Sequence, residues 1–159
     1  IRVNNARIHH LYNEVYSRSA FRLLQLPEDY FMRIKEAFAD RFRITAFFRE
    51  GIMMGFASYI IKPNGELEAH YIGFNYEVNR QHDLYQNILY CNIRSALKFD
   101  CSTVNFGRTA AEIKSTVGAQ AEDLYCYAKP KGTLSKLMIR PLISFLEPGE
   151  WTPRNPFKE

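Results

Sequence analysis

The sequence predicts an α+β fold, with helices packed on a mixed sheet. Three observations predict it. The chain opens with two helical stretches that each carry one apolar face, continues through three strands joined by tight turns, and then runs through a long apolar helix into a further strand. At 159 residues and 47% hydrophobic side chains, it is long enough to bury a core.

Ile8, Leu11, Tyr12, Val15 and Tyr16 recur at the spacing of a helix with one buried side. A second helix is expected near Pro27, a residue suited to the first helical position. Glu28 and Asp29 complement its dipole, and Phe31, Ile34 and Phe38 form its stripe. From Arg43 the period changes to that of strands. RITAFFR, the turn Glu50-Gly51 and IMMGFASYII read as a hairpin. Lys62-Pro63-Asn64-Gly65 then supplies an Asn-Gly turn before the strand LEAHYIGF. These strands form an antiparallel meander.

Residues 83–99 read as a helix that is apolar over most of its circumference, with Asn87, Arg94 and Lys98 as a narrow polar stripe, so it should be covered on several sides. The strand STVNFG follows. A full helix intervenes, so this strand should run parallel to LEAHYIGF. Thr109-Ala110-Ala111-Glu112 reads as a capping box opening a short helix that Gly118 closes. Residues 124–129 read as a last strand, and 133–146 as an apolar helix kinked or ended near Pro141. There are no repeats.

Composition excludes several classes. No apolar run reaches the roughly 20 residues of a transmembrane helix. Cys91, Cys101 and Cys126 are odd in number and lack ligand spacing, which suits reduced cysteines in a cytoplasmic protein and no bound metal. The net charge of +4 is scattered, a pattern that suits a small anionic ligand at least as well as nucleic acid.

The order of elements resembles the GCN5-related N-acetyltransferase superfamily without its first strand. HYIGFNYEVNR and LYQNILY, with NFGRTAAEIKSTVGAQAEDLY, resemble more closely the bacterial branch related to Fem-type peptidoglycan aminoacyltransferases. The likeness covers about residues 8–129, and its most specific part is GRTxxEIKxxxGA. It implies a GNAT-like domain over residues 1–129 with a splayed parallel strand pair, standing as the C-terminal copy of a longer tandem protein. Residues 130–159 are then a helix and Pro-rich tail packing on the domain or a partner.

The resemblance implies direct transfer of an acyl group from a thioester, such as acyl-CoA, to the amine of a small molecule or peptide. Two alternatives are a Fem-like transferase using aminoacyl-tRNA, and a domain that keeps the fold without catalysis and pairs with a second GNAT-like domain or a second copy. The donor's pantetheine arm belongs where LEAHYIGF and STVNFG part. Its pyrophosphate belongs at residues 79–85, read as a loop at a helix N-terminus, where free N–H groups favour an anion. Asn79, Arg80, Gln81 and His82 stand where relatives carry a glycine-bearing loop.

Acyl transfer needs a base, oxyanion donors and an acid for the leaving thiolate. Strand alternation puts Glu68 and His70 on one face with Ile72 and Phe74, and Tyr71 on the other. His70 and Glu68 are the candidate bases, Tyr76 and Tyr85 the candidate acids. Backbone around Ile72, Gly73 and Phe74 is the candidate oxyanion and donor contact, since glycine permits close approach. Asn105 and Arg108, at the end of the second strand, are candidates for phosphate or carboxylate. Lys114 reads as a solvated helix residue, and His9 and His10 show no ligand geometry.

Overall fold

The computed structural model describes residues 4–19, 22, 24–125, 127, 129–132, 151–154 and 156–157. By contacts the chain divides into two units, Ile1–Thr109 and Ala110–Glu159.

The first unit begins with α1 (Asn5–Tyr16), which Asn4 caps by accepting from the Arg7 N–H. Helix α2 (Tyr30–Phe38) starts three residues after Pro27. The Tyr30 N–H is already held by the Pro27 carbonyl in a preceding turn. Strands β1 (Phe42–Arg49), β2 (Ile52–Ile61) and β3 (Glu66–Phe74) form the expected antiparallel meander. Gly65, at φ +78°, supplies the backbone conformation that the turn into β3 requires. After helices α3 (Tyr76–His82) and α4 (Leu84–Lys98), strand β4 (Thr103–Asn105) returns parallel to β3. The sheet order is β1-β2-β3-β4, so the sheet is mixed and flanked by helices.

Each face of the sheet has its own core. On one side α1 and α2 bring Ile8, Leu11, Tyr12 and Phe31 against Phe42, Met53 and Phe56. The Arg7 guanidinium fastens α1 there by donating twice to the Met53 carbonyl, at 2.8 and 2.9 Å. On the other side Leu84 and Ile88 of α4 pack with Ala57 and Phe74, and Ala96 packs with Tyr59 and Leu67. The exposed stripe of α4 is wider than its polar residues alone predict. Tyr90 and Leu97 join Asn87, Arg94 and Lys98 at the surface.

Two local readings of the first unit are corrected. The segment read as a loop at 79–85 is mostly helix: Asn79, Arg80, Gln81 and His82 belong to α3, and the only break before α4 is Asp83, at φ +48°. Apolar Tyr76 and Val78 pack α3 against the core and stabilise the helix despite its polar composition. Strand alternation also fails in β3. Ala57 pairs with Ile72 and Tyr59 with Ala69, so Ser58 alone faces both His70 and Tyr71. This β-bulge turns Tyr71 to the His70 side and sends Ile72 and Phe74 to the α4 side.

In the second unit α5 (Ala111–Ser115) is preceded by Ala110 at φ +57°, with no side-chain cap. The capping box does not form, because Glu112 Oε1 accepts instead from Arg154, at 2.6 and 3.0 Å. Lys114 is buried, only 8% exposed, rather than solvated, and burial draws its pKa down to about 8. Leu124, Tyr125 and Tyr127 lie in no strand and are exposed. The helix read at 133–146, and Cys126, lie outside the described residues.

Candidate functional site

The bulge builds the most chemically distinctive cluster of the first unit. Ser58 Oγ accepts from the Tyr71 N–H at 3.0 Å and donates to the Tyr71 carbonyl at 2.9 Å. Its one hydrogen is then committed, so the 3.3 Å contact to His70 Nδ1 must be donated by the imidazole. That fixes the tautomer with Nδ1–H, and Nε2 accepts from the Tyr30 hydroxyl at 2.9 Å.

The rings of Tyr30 and His70 stack with centroids 5.7 Å apart, and Phe42 and Tyr71 pack edge-on to the imidazole. This aromatic surround pushes the His70 pKa down to about 4 through burial, only partly opposed by the charge of Glu68. His70 is therefore neutral at pH 7. Burial also raises the Tyr30 pKa, with Tyr71 and Tyr12 adding to it.

Of the sequence-derived residues, Glu68 stands on the His70 side and pairs with Lys62 Nζ at 2.8 Å. Tyr76 and Tyr85 lie on the opposite face of the sheet, packed around Phe74, with ring centroids 5.0 and 6.0 Å from it. The fold thus separates the candidate acids from the candidate bases. Burial raises the Tyr85 pKa, and the Arg18 guanidinium sits 4.3 Å over the Tyr76 ring. The space at Gly73 is filled by α1, since a Cβ there would lie 2.5 Å from the Tyr12 nitrogen and 2.6 Å from the Leu11 carbonyl carbon.

The N-terminus of α4 differs from an open anion site. Asn79 Oδ1 accepts from the Tyr85 N–H at 2.7 Å, so the side chain caps the helix where a phosphate oxygen was expected. Arg80 is exposed, 4.0 Å from Glu77. Gln81 Oε1 and His82 Nε2 both accept from Arg49, at 3.4 and 2.8 Å. Asn105 donates to Glu66 Oε1 at 3.3 Å and accepts from the Gly107 N–H at 2.9 Å; Arg108 is exposed. His9 is held structurally, by the Leu26 carbonyl and the Asn13 amide.

The parallel pairing of β3 and β4 is short. Their pairing ends at Glu68 and Asn105, and β3 continues to Phe74 beyond it. Asn92 lies on the α4 stripe of Ile88 and Ala96 that packs on β2 and β3. It is 2% exposed, and its Oδ1 has no hydrogen-bond partner among the described residues. A buried acceptor without a donor is costly, which makes this a place suited to a ligand N–H.

Sequence reasoning missed Tyr30, Ser58 and Asn92. Tyr30 opens a helix forty residues before His70, and Ser58 lies across the sheet; only the unbroken polar position in an apolar helix marked Asn92. Among the described residues, no group of three or more His, Cys, Asp or Glu is placed to hold a metal, and no helix is long and apolar enough to cross a membrane. Comparison with family models, with curated proteins and with solved structures gives no match.

Proposed function

We propose that the first unit is a GNAT-like N-acyltransferase domain whose thioester donor lies along β3 beyond Glu68. The observation that carries the reading is the coincidence at this strand of three features. They are a stretch of β3 beyond its β4 partner, a buried acceptor in Asn92, and a neutral imidazole coupled to a tyrosine hydroxyl. An extended arm bearing amides can hydrogen-bond to a free strand edge, and one of its N–H groups would satisfy Asn92.

In the proposed step the acceptor amine attacks the thioester carbonyl. Its proton passes to the Tyr30 oxygen as Tyr30 O–H passes its own to His70 Nε2. Ser58 holds the imidazole in the tautomer that can accept. Collapse of the intermediate expels the thiolate.

The residues at the α4 N-terminus do not fit a pyrophosphate, because Asn79 occupies the Tyr85 N–H. We therefore assign donor recognition to the amide-bearing arm rather than to the nucleotide. Calorimetry with acetyl-CoA and with S-acetylpantetheine, which lacks the nucleotide, tests this directly. The two should bind within about threefold of each other and acylate a primary amine. Absence of binding by both at millimolar concentration overturns the reading.

A second reading has its own support. His70 is saturated on both ring nitrogens, which suits a binding domain without turnover. That reading predicts ligand binding with no acylated product.

A further inference from the structure

We propose that the open edge of β1 is a docking strand for an extended, acidic polypeptide segment. Among the described residues β1 pairs only with β2 and forms one border of the sheet. A groove of about 710 Å³ runs between this border and the α3–α4 pair. It is lined by all of residues 45–49 in succession. The β1–β2 register shifts between Phe47 and Phe48, but Thr45, Ala46 and Phe47 precede the shift and alternate, so a ligand in contact with all three meets the backbone edge itself. Unpaired N–H and C=O groups are what an added strand requires, which favours polypeptide over a simple amphiphile.

Charge selects the kind of polypeptide. Arg49, His82 and Arg94 line the groove together with apolar Phe47, Leu84 and Cys91, and no carboxylate does. Arg49 and Arg94 are exposed, and Arg94 makes no hydrogen bond or ion pair among the described residues. Arg49 is fixed at one end by its bonds to Gln81 and His82, and the exposed Glu50 approaches it loosely, at 3.8 Å. Helix α4 rises roughly 15 Å between Leu84 and Arg94, a span of four to five extended residues at about 3.3 Å each. The matching segment has carboxylates at positions i and i+4, with an apolar residue at i+2 turned toward Phe47 and Leu84. A second copy of the chain is the poorer occupant. FRITAFFR carries Arg43 and Arg49 and no acid, so two β1 edges would bring together only positive charge.

The test uses the whole 159-residue chain and the capped peptide Thr-Glu-Thr-Val-Thr-Glu-Thr, followed by NMR shifts and amide exchange. Saturating peptide should slow exchange of outward β1 amides at least fivefold. Arg94→Glu should weaken binding at least fivefold. The double variant Arg49→Glu, Arg94→Glu should prefer the same peptide with lysine in place of glutamate. The proposal is overturned if millimolar peptide leaves β1 exchange unchanged or if charge reversal leaves affinity unchanged. It fails equally if β1 is protected in a dimer without peptide, or if dodecanoate fills the groove where the peptide does not.

Discussion

The Tyr30 hydroxyl donates to His70 Nε2 across 2.9 Å, joining the first turn of α2 to the middle of β3. Because Ser58 holds the opposite nitrogen, the imidazole is pinned at both ends in its neutral form.

This arrangement ties stability to pH. The His70 pKa is about 4 in the folded chain, against an ordinary value of 6.5. Between those values the unfolded state binds more protons, so His70 contributes stability that is present above about pH 6.5 and is lost as pH falls toward 4. Allowing for partial exposure, the loss is on the order of 2 kcal/mol. Urea unfolding at pH 4.5, 5.5 and 7 should show this component in the native chain and not in His70→Gln. Parallel curves for the two proteins would refute it.

Tyr30→Phe removes the donor and leaves Nε2 without its partner. It should cost about 1 kcal/mol of stability and move the His70 titration upward, because the neutral ring loses a bond. NMR titration of the His70 ring checks the direction. Under the proposed acyl transfer, the same change lowers turnover without a matching change in donor affinity.

Gly73→Ala places a Cβ against the buried Phe56 ring and the backbone of α1, and that backbone cannot swing aside as a side chain can. A loss of roughly 2–4 kcal/mol is expected. Gly55→Ala is the control, since the nearest atom there is the flexible Leu84 Cδ2 at 3.0 Å. Equal losses for the two variants would contradict the close approach of α1.

Asn92→Leu should raise stability by about 1 kcal/mol by removing an unpaired acceptor from the core. If that acceptor serves a ligand, the more stable variant binds S-acetylpantetheine at least tenfold more weakly. Unchanged affinity would detach Asn92 from the cleft.

Asn79→Ala removes the cap on α4 at Tyr85 and should cost about 1 kcal/mol. Thermal unfolding reads it directly, and an unaltered midpoint would mean that another group takes over the N–H.

Much of the fold was legible because it is written in local patterns. The strand periods, the Asn64-Gly65 turn and the apolar run of α4 locate β1, β2, β3 and α4 to within a residue or so. The parallel return of β4 follows from the helix before it. What escaped is non-local or depends on parity. A bulge leaves no mark in a strand's composition, yet the one at Ser58 decides which of Tyr71, Ile72 and Phe74 can share a face with His70. The polar run at Asn79, Arg80, Gln81 and His82 reads as loop until Tyr76 and Val78 find a core to pack on.

The bulge also makes β3 a counting device. Glu68 and His70 take their orientation from one side of it, and Gly73 and Phe74 take theirs from the other. Straightening β3 at constant length would therefore do more than move the Tyr71 ring. It would impose simple alternation from His70 onward, turning Gly73 away from Tyr12 and pressing the bulkier Ile72 toward the backbone of α1. The bulge thus sets both the chemistry beside His70 and the closeness with which the first helix docks.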